Sequence, residues 1–242
     1  MGLFEYIIKA KSGVYKDNPE NRRLHRAGLQ YGQKKQQESV PDVNKEDLEL
    51  AEAKVEKMLA VKQNFDDVSQ AVCMEVGCIV SPTNIKRPIR IAQKMASDNS
   101  TIDDIKDVMR NTFVVNSDAD VDKVIEVISK HYKVVRVKRQ MPDKFAGYSG
   151  NIVNVELPNG EIGEMQVNTP QMIFGKEVER DARMILGDGL WEQLKANAGN
   201  LIPGLGHRMY EVLRDDSIDD ERLGIVERNS RIYYDRIRKI SL

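Results

Sequence analysis

A β-hairpin is encoded by residues 151–167, NIVNVELPNGEIGEMQV. Apolar and polar side chains alternate along this stretch, and residues 158–160, Pro-Asn-Gly, form a turn signal in its middle. A two-residue loop would place an apolar residue opposite Glu164 and mix the two faces of the hairpin. A three-residue loop with Gly160 in the left-handed conformation pairs Asn154 with Glu164 and keeps the faces separate. We therefore predict the three-residue turn.

This register gives the hairpin one apolar face and one polar face. The polar face carries four residues on the two strands: Asn154, Glu164, Gln166 and Asn168. A carboxylate and amides in a row are either ordinary solvent-facing residues or a site. The strand pattern alone leaves both interpretations open.

Further strands and helices surround the hairpin in the sequence. Period-two patterns predict strands over Asn111–Asn116 and Tyr132–Arg139, and a period of 3.6 predicts a helix over Val121–His131 that packs through Val124, Val127 and Ile128. Other helical patterns cover Asn44–Gln63, Asp66–Val80, Ile85–Met95, Ile102–Met109, Gln171–Val178, the region of Trp191, His207–Leu213 and a last helix opened by Ser217. The sequence thus predicts an α+β fold in which helices flank a sheet.

Charge is abundant but balanced. The 242 residues contain 37 Lys+Arg and 38 Asp+Glu, for a formal net charge of −1. This balance argues against a polycation for duplex nucleic acid and against an acidic disordered chain. Any basic site for phosphate must be local. Cations outnumber acids in residues 1–43, which we interpret as a basic arm or linker that is either flexible or binds a partner.

The two cysteines and the hydropathy pattern indicate a compartment. Cys73 and Cys78 lack a second pair for a zinc tetrad, so we expect buried free thiols in a reducing environment. The first residues carry no signal-peptide pattern, and no stretch reaches the roughly 18 apolar residues of a membrane span. We predict a cytoplasmic protein without a membrane partner.

Two carboxylates are candidates for a metal site. Asp107 precedes the first predicted strand, and Glu164 lies on the polar face of a later one. If these strands are neighbours, the two acids can bind one Mg²⁺ ion, which takes one or two carboxylates and completes its shell with water and phosphate oxygens. Such an ion would bridge nucleotide phosphates and lower the barrier to attack on phosphorus.

Cations suited to a polyphosphate accompany these acids. Arg90 and Lys94 are four residues apart and share a helix face, where they form either a solvated basic face or an anion site. The other cations are Arg110, Lys138, Arg139 and Lys144. Tyr148, after Gly147, either stacks on a nucleobase or is a core residue. His207 is either a helix cap or a contact to substrate.

Five motifs in order resemble one known family. They are Ile85–Lys94, Ile105–Arg110, Gly147-Tyr148, Glu164–Thr169 and Gly206–Tyr210. They look like the synthetase domain of RelA/SpoT-type alarmone synthetases, in a divergent branch, over roughly residues 83–213. The resemblance implies a nucleotidyltransferase-like mixed sheet flanked by helices, with a helical region at 44–82 and a C-terminal helix within 214–242 as extensions.

The resemblance also implies an activity. Members transfer the β,γ-pyrophosphate of ATP to the 3′-hydroxyl of GDP or GTP to make (p)ppGpp. By motif match, Asp107 and Glu164 would hold Mg²⁺, although Glu164 could instead take the proton of the attacking hydroxyl. Arg90, Lys94 and Arg110 would contact the ATP phosphates, and Tyr148 would stack on the acceptor base. Lys138, Lys144, Gln166 and His207 complete the expected substrate-binding set.

Departures from the family pattern keep other functions open. The family has Gly and Arg where this chain has Arg110 and Thr112, and an Arg at the position of Asn168. Similar changes occur in toxin-like relatives. We therefore carry two alternatives, a toxin that pyrophosphorylates the tRNA 3′ end and a catalytically silent nucleotide-binding module. A homo-oligomer is a further expectation.

Overall fold

The computed structural model describes residues 43–215 and 217–242, so the basic arm lies outside the described part of the chain. The described residues form two compact units. One contains residues 43–139 and 151–169, and the other contains residues 140–150 and 170–242. The domain boundaries expected from the sequence, at residues 43, 82 and 213, stay predictions.

The first unit contains the sheet and three helices. Its helices are α1 (Lys45–Val76), α2 (Pro88–Asp98) and α3 (Asp118–His131), and a 3₁₀ turn covers Ile102–Asp104. The strands are β1 (Ile79–Val80), β2 (Asn84–Ile85), β3 (Met109–Val114), β4 (Lys133–Gln140), β5 (Gly150–Glu156) and β6 (Ile162–Asn168). The strand order is β1-β3-β6-β5-β4, and β2 also pairs with β3.

The sheet is mixed, because β3 and β6 run parallel whereas β1 and β2 are antiparallel to β3 and β5 is antiparallel to β6. The predicted α+β class, with a mixed sheet flanked by helices, is confirmed. The parallel β3–β6 pair places the strand that follows Asp107 directly beside the strand that carries Glu164.

The predicted register of the β5–β6 hairpin is confirmed. Asn154 pairs with Glu164 and Val153 pairs with Met165. Gly160 has a φ of +81°, and the backbone N–H of Leu157 donates to the carbonyl of Glu161 at 2.8 Å, which closes the three-residue loop. A side chain at the left-handed position would be strained, so glycine suits it.

The apolar face of the sheet packs on α1 and α3. Val153, Val155, Met165 and Val167 are all buried in one core with Phe65 of α1 and with Val124, Val127 and Ile128 of α3, as predicted for that helix. Gly163 lets α1 pack close to β6, because a Cβ at this position would lie 2.9 Å from a ring carbon of Phe65.

Helix α1 begins as predicted but ends differently. The side chain of Asn44 accepts the backbone N–H of Asp47 at 2.7 Å, which caps the first turn. The prediction of two helices, broken near residue 64, is wrong: a single helix runs to Val76. Residues 45–76 contain neither proline nor glycine, and the helix ends only at Gly77, whose φ is +77°.

The segment before the first long strand also differs from its prediction. The helix expected over Ile85–Met95 begins only at Pro88, because proline lacks an N–H and disfavours helical backbone in the preceding residue. Asn84 and Ile85 instead pair with β3. The helix expected over Ile102–Met109 is reduced to the short 3₁₀ turn, where Thr101 and Asp104 form a capping box.

The second unit is helical in its described part. Its helices are α4 (Pro170–Lys176), α5 (Glu179–Leu186), α6 (Asp188–Asn197), α7 (Leu205–Leu213) and α8 (Asp220–Ile237). Trp191 is buried, as expected of a core residue, and Tyr233 donates to the carbonyl of Ile202 at 2.6 Å. The prediction that Ser217 opens α8 is wrong, since Asp219 is the cap and accepts the N–H of Arg222.

Across residues 43–215 and 217–242, no helix combines the length and apolar character needed to cross a membrane.

Candidate active site

Asp107 is held by two lysines. Lys86 Nζ lies 2.6 Å from Oδ2 of Asp107, and Lys94 Nζ lies 2.9 Å from Oδ1. Lys86 follows β2 and is fixed by its backbone N–H, which donates to the carbonyl of Val108 at 2.8 Å. Lys94 comes from the second turn of α2. Three separate segments therefore converge on one carboxylate.

Electrostatics keep this carboxylate ionised. Burial by itself would raise the pKa of Asp107, but the hydrogen bonds and charges of Lys86 and Lys94 outweigh it and lower the pKa to about 2. Burial lowers the pKa of Lys86, and the hydrogen bond to Asp107 opposes that shift. The charges of Lys94 and Arg110 also lower the pKa of Lys86, which indicates that both cations lie near this lysine.

Arg110 connects this cluster to Glu164. It is the second residue of β3 and is the register partner of Glu164 on the parallel strand β6. Two residues further along, Thr112 is the partner of Gln166, whose Nε2 donates to Oε1 of Glu164 at 2.8 Å. One face of these neighbouring strands therefore carries Arg110, Thr112, Glu164 and Gln166. Arg110 is three residues after Asp107.

The polar face of the hairpin is not an ordinary solvent-facing surface. Glu164 is 8% exposed and Asn154 is 2% exposed, and Gln166 and Asn168 are also buried. Nδ2 of Asn154 has no hydrogen-bond partner in the described structure. Burying an ionisable carboxylate and amides is costly unless they have partners, so their concentration on one face is characteristic of a site.

Two other predicted residues of this unit lie on α2 and β4. Arg90 is exposed on α2, one turn before Lys94, and its Nη1 donates to Gln93 at 3.1 Å. Lys138 lies on β4, and β5 separates that strand from the strand of Glu164. The structure thus links Lys94 to Asp107 and places Arg110 and Gln166 beside Glu164.

The remaining predicted residues belong to the second unit. Tyr148 packs edge-on against Tyr234, with ring centroids 5.4 Å apart, and Nζ of Lys176 lies 5.8 Å from the centroid of the Tyr148 ring. Lys144 is exposed in the 140–150 loop. His207, in the first turn of α7, has Nε2 3.5 Å from a carboxylate oxygen of Glu211.

Lys86 is the residue whose role the sequence pattern missed. The helical pattern over Ile85–Met95 included Lys86, whereas the structure places it in the loop before α2 with its charge on Asp107. Pro88 carried the available signal, because a helix that starts at proline excludes the residue two places before it.

The donor set suits a hard divalent cation that also binds phosphate. Asp107 is ionised at neutral pH, and Glu164 offers a second carboxylate on the adjacent strand. Among the described residues, three or more His, Cys, Asp or Glu side chains do not cluster as a dedicated metal cage. Two carboxylates with phosphate oxygens as further ligands are typical of Mg²⁺.

Comparison with known proteins gives a clear relative. No protein-family model matches the chain. The (p)ppApp synthetase toxin Tas1 of Pseudomonas aeruginosa (strain UCBPP-PA14) is 36% identical over 186 residues, which are 76% of this chain and 41% of that protein. The chain therefore matches less than half the length of this curated relative.

A solved structure agrees with that match. The crystal structure of the complex between the type VI effector Tas1 and its immunity protein is 33% identical, with a TM-score of 0.69, and the match covers 82% of this chain and 100% of that chain. The small alarmone synthetase 1 from Bacillus subtilis, bound to its product pppGpp, is 14% identical with a TM-score of 0.46, covering 76% of this chain and 92% of that chain.

Proposed function

Since the chain belongs to the RelA/SpoT-type alarmone synthetase family, in a divergent branch with Tas1, we propose that it is a Mg²⁺-dependent pyrophosphokinase. In this proposal it transfers the β,γ-pyrophosphate of ATP to the 3′-hydroxyl of a purine nucleotide. The observation that carries the proposal is the pairing of Lys86 and Lys94 with Asp107, two residues before the strand on which Arg110 lies opposite Glu164.

The cations are the proposed binding groups for the ATP phosphates. Lys86 and Lys94 both pair with the single carboxylate of Asp107, and Arg110 adds positive charge near Lys86, so the cluster has positive charge left for an anion. Lysine offers a point charge, and arginine offers a planar fork to two phosphate oxygens. Bound phosphates would take over hydrogen bonds that the lysines now make to Asp107.

Asp107 and Glu164 are the proposed Mg²⁺ ligands. A pKa of about 2 makes Asp107 a permanent anion at neutral pH, so it is suited to hold a cation and unsuited to exchange protons. The metal, when bound, neutralises charge on the transferred group. The lysines would bind the phosphates of the donor beside the metal that Asp107 holds.

Glu164 is also the candidate for general base. It is buried, and Gln166 donates to one of its oxygens, which fixes the carboxylate and directs it. A fixed carboxylate within reach of the 3′-hydroxyl can accept its proton as the oxygen attacks phosphorus. The amides of Asn154 and Gln166 would position the acceptor ribose on the same face.

We propose an adenine nucleotide as acceptor, because the 36% identical relative is a (p)ppApp synthetase toxin. By the same likeness we propose that the chain acts as a toxin. A guanine nucleotide, expected from the wider family, is the second candidate. The deacylated tRNA 3′ end, the silent module and the homo-oligomer stay predictions.

An acceptor assay tests the proposal. The protein is incubated with γ-labelled ATP and Mg²⁺, with unlabelled AMP, ADP, GDP, GTP or deacylated tRNA added separately, and the labelled product is identified. We expect the labelled product to be an adenine nucleotide that carries the pyrophosphate on its 3′-hydroxyl. Transfer mainly to GDP or GTP would select the second candidate, and transfer to none of them, with ATP still bound, would overturn the enzyme proposal.

A further inference from the structure

The two cysteines of the chain lie next to each other. Cys73 is in the last turn of α1 and Cys78 is the second residue after the helix, and their sulfur atoms are 3.3 Å apart. The Cys73 sulfur also lies 3.0 Å from the carbonyl oxygen of Cys78. Cys73 is buried, as the sequence predicted, whereas Cys78 is only half-buried. Both thiols are free.

The helix cap causes this proximity. Gly77 adopts the left-handed conformation, and the backbone N–H groups of Gly77 and Cys78 both donate to the carbonyl of Cys73, at 2.8 and 3.2 Å. This type of cap turns the chain back on the helix, so that the residue after the glycine contacts a residue of the last turn. The two thiols are therefore held together by backbone hydrogen bonds.

The two sulfurs are chemically unequal. The hydrogen bond from the Cys73 thiol lowers the pKa of Cys78, although burial and the charge of Asp120 oppose that shift. The pKa of Cys73 is raised, first by the same hydrogen bond and then by burial. Because the thiolate is the nucleophile and Cys78 is the more accessible of the two, Cys78 is the attacking sulfur.

We propose that Cys73 and Cys78 form a reactive dithiol site, which low-molecular-weight disulfides such as glutathione disulfide oxidise to a disulfide within the chain. The Cys78 thiolate attacks one sulfur of glutathione disulfide, and the first glutathione leaves as thiolate. The Cys73 thiol then loses its proton and attacks the Cys78 sulfur of the mixed disulfide, which releases the second glutathione. Two protein thiols are oxidised, and one glutathione disulfide is reduced to two glutathione molecules that carry the two protons.

The disulfide would join α1 to the start of the sheet. Cys78 directly precedes β1, which pairs with β3 at Phe113 and Val114. A covalent link across the Gly77 turn closes a short loop, so the gain in stability is modest. We expect the thermal midpoint of the oxidised protein to exceed that of the reduced protein by roughly 4 °C.

The experiment uses the full chain, which contains two cysteines, so every thiol is accounted for. Reduced protein is freed of reductant and equilibrated with glutathione disulfide. Remaining thiols are then blocked with N-ethylmaleimide, and the intact mass is measured. We expect the reduced protein to carry two maleimide groups. The oxidised protein should carry no maleimide and no glutathione, and its monomer mass should differ from that of the unlabelled reduced protein only by the loss of two hydrogens.

Single variants identify the attacking sulfur. Cys73→Ser leaves Cys78 without its resolving partner, so it should retain one glutathione. Cys78→Ser should react at least tenfold more slowly. The proposal is overturned if both thiols of the oxidised wild type still react with maleimide, if stable glutathione adducts persist on it, or if the product is a disulfide-linked dimer. These outcomes do not depend on the proposed pyrophosphokinase activity.

Discussion

Lys86 Nζ lies 2.6 Å from Oδ2 of Asp107, and both side chains are largely withdrawn from water, with 21% and 18% of their surfaces exposed. The pair is 21 residues apart in sequence and is joined by the pairing of β2 with β3. A partly buried lysine that reaches a partly buried carboxylate connects the proposed phosphate-binding group to the proposed metal ligand.

Replacing Lys86 by methionine keeps the length of the side chain and removes its charge. We expect Lys86→Met to lower turnover by about 100-fold, because one donor that faces the transferred group is lost. Steady-state product formation at saturating ATP measures the effect. Lys123→Met, at an exposed position of α3, is the matched control and should keep wild-type activity. Equal activity of the two variants would remove Lys86 from the site.

Neutralising either proposed metal ligand should lower turnover more than Lys86→Met does. We expect Asp107→Asn and Glu164→Gln each to lower turnover by on the order of 1,000-fold, with circular dichroism unchanged near neutral pH. Glu126→Gln is the control, because Glu126 is an exposed carboxylate on α3. A loss of less than tenfold in one of the first two variants would exclude that residue as a ligand.

The ion pair at Asp107 predicts an acid-sensitive stability. The pKa of Asp107 is lowered from 3.8 to about 2 in the folded protein. The stabilisation of the folded protein by the ionised carboxylate is therefore complete above pH 4 and disappears as the pH falls through 2. The shift corresponds to about 2 kcal/mol of unfolding free energy.

Urea denaturation between pH 6 and pH 2 measures this contribution. The wild type should lose about 2 kcal/mol more than Asp107→Asn over that range. Parallel curves for the two proteins would show that the lysines do not stabilise the ionised carboxylate.

The position of Gly147, before Tyr148, requires glycine for its backbone conformation and for its close approach to α8. Its φ is +92°, and an added Cβ would lie 2.6 Å from the Cα of Arg231 in α8. We expect Gly147→Ala to lower the unfolding free energy by about 3 kcal/mol, from backbone strain and overlap. Gly189→Ala, in α6 with no atom within 4 Å of the added Cβ, should change it by less than ~1 kcal/mol. Thermal unfolding of both variants is the measurement, and equal midpoints would refute the steric explanation.

The parts of the fold that were predictable depend on local rules. The β5–β6 register followed from one glycine and from the need to keep polar and apolar faces apart, and the cap at Asn44 followed from its residue type. These features are set within a few residues of chain.

The parts that were missed depend on distant contacts. The position of Lys86 is fixed by pairing with residues more than 20 positions away, and helical periodicity carries no information about such pairing. The burial of Glu164 and Gln166 was likewise open, because an alternating strand shows which residues share a face without showing whether that face is covered.

The most direct test of the account supplies ATP and Mg²⁺ alone, so that ATP is both donor and acceptor, and identifies the products by mass spectrometry for the wild type and for Asp107→Asn. We expect equal amounts of AMP and of adenosine triphosphate carrying a 3′-pyrophosphate from the wild type, and neither product from the variant. Formation of ADP and inorganic phosphate, absence of turnover in the wild type, or equal product from the variant would contradict it.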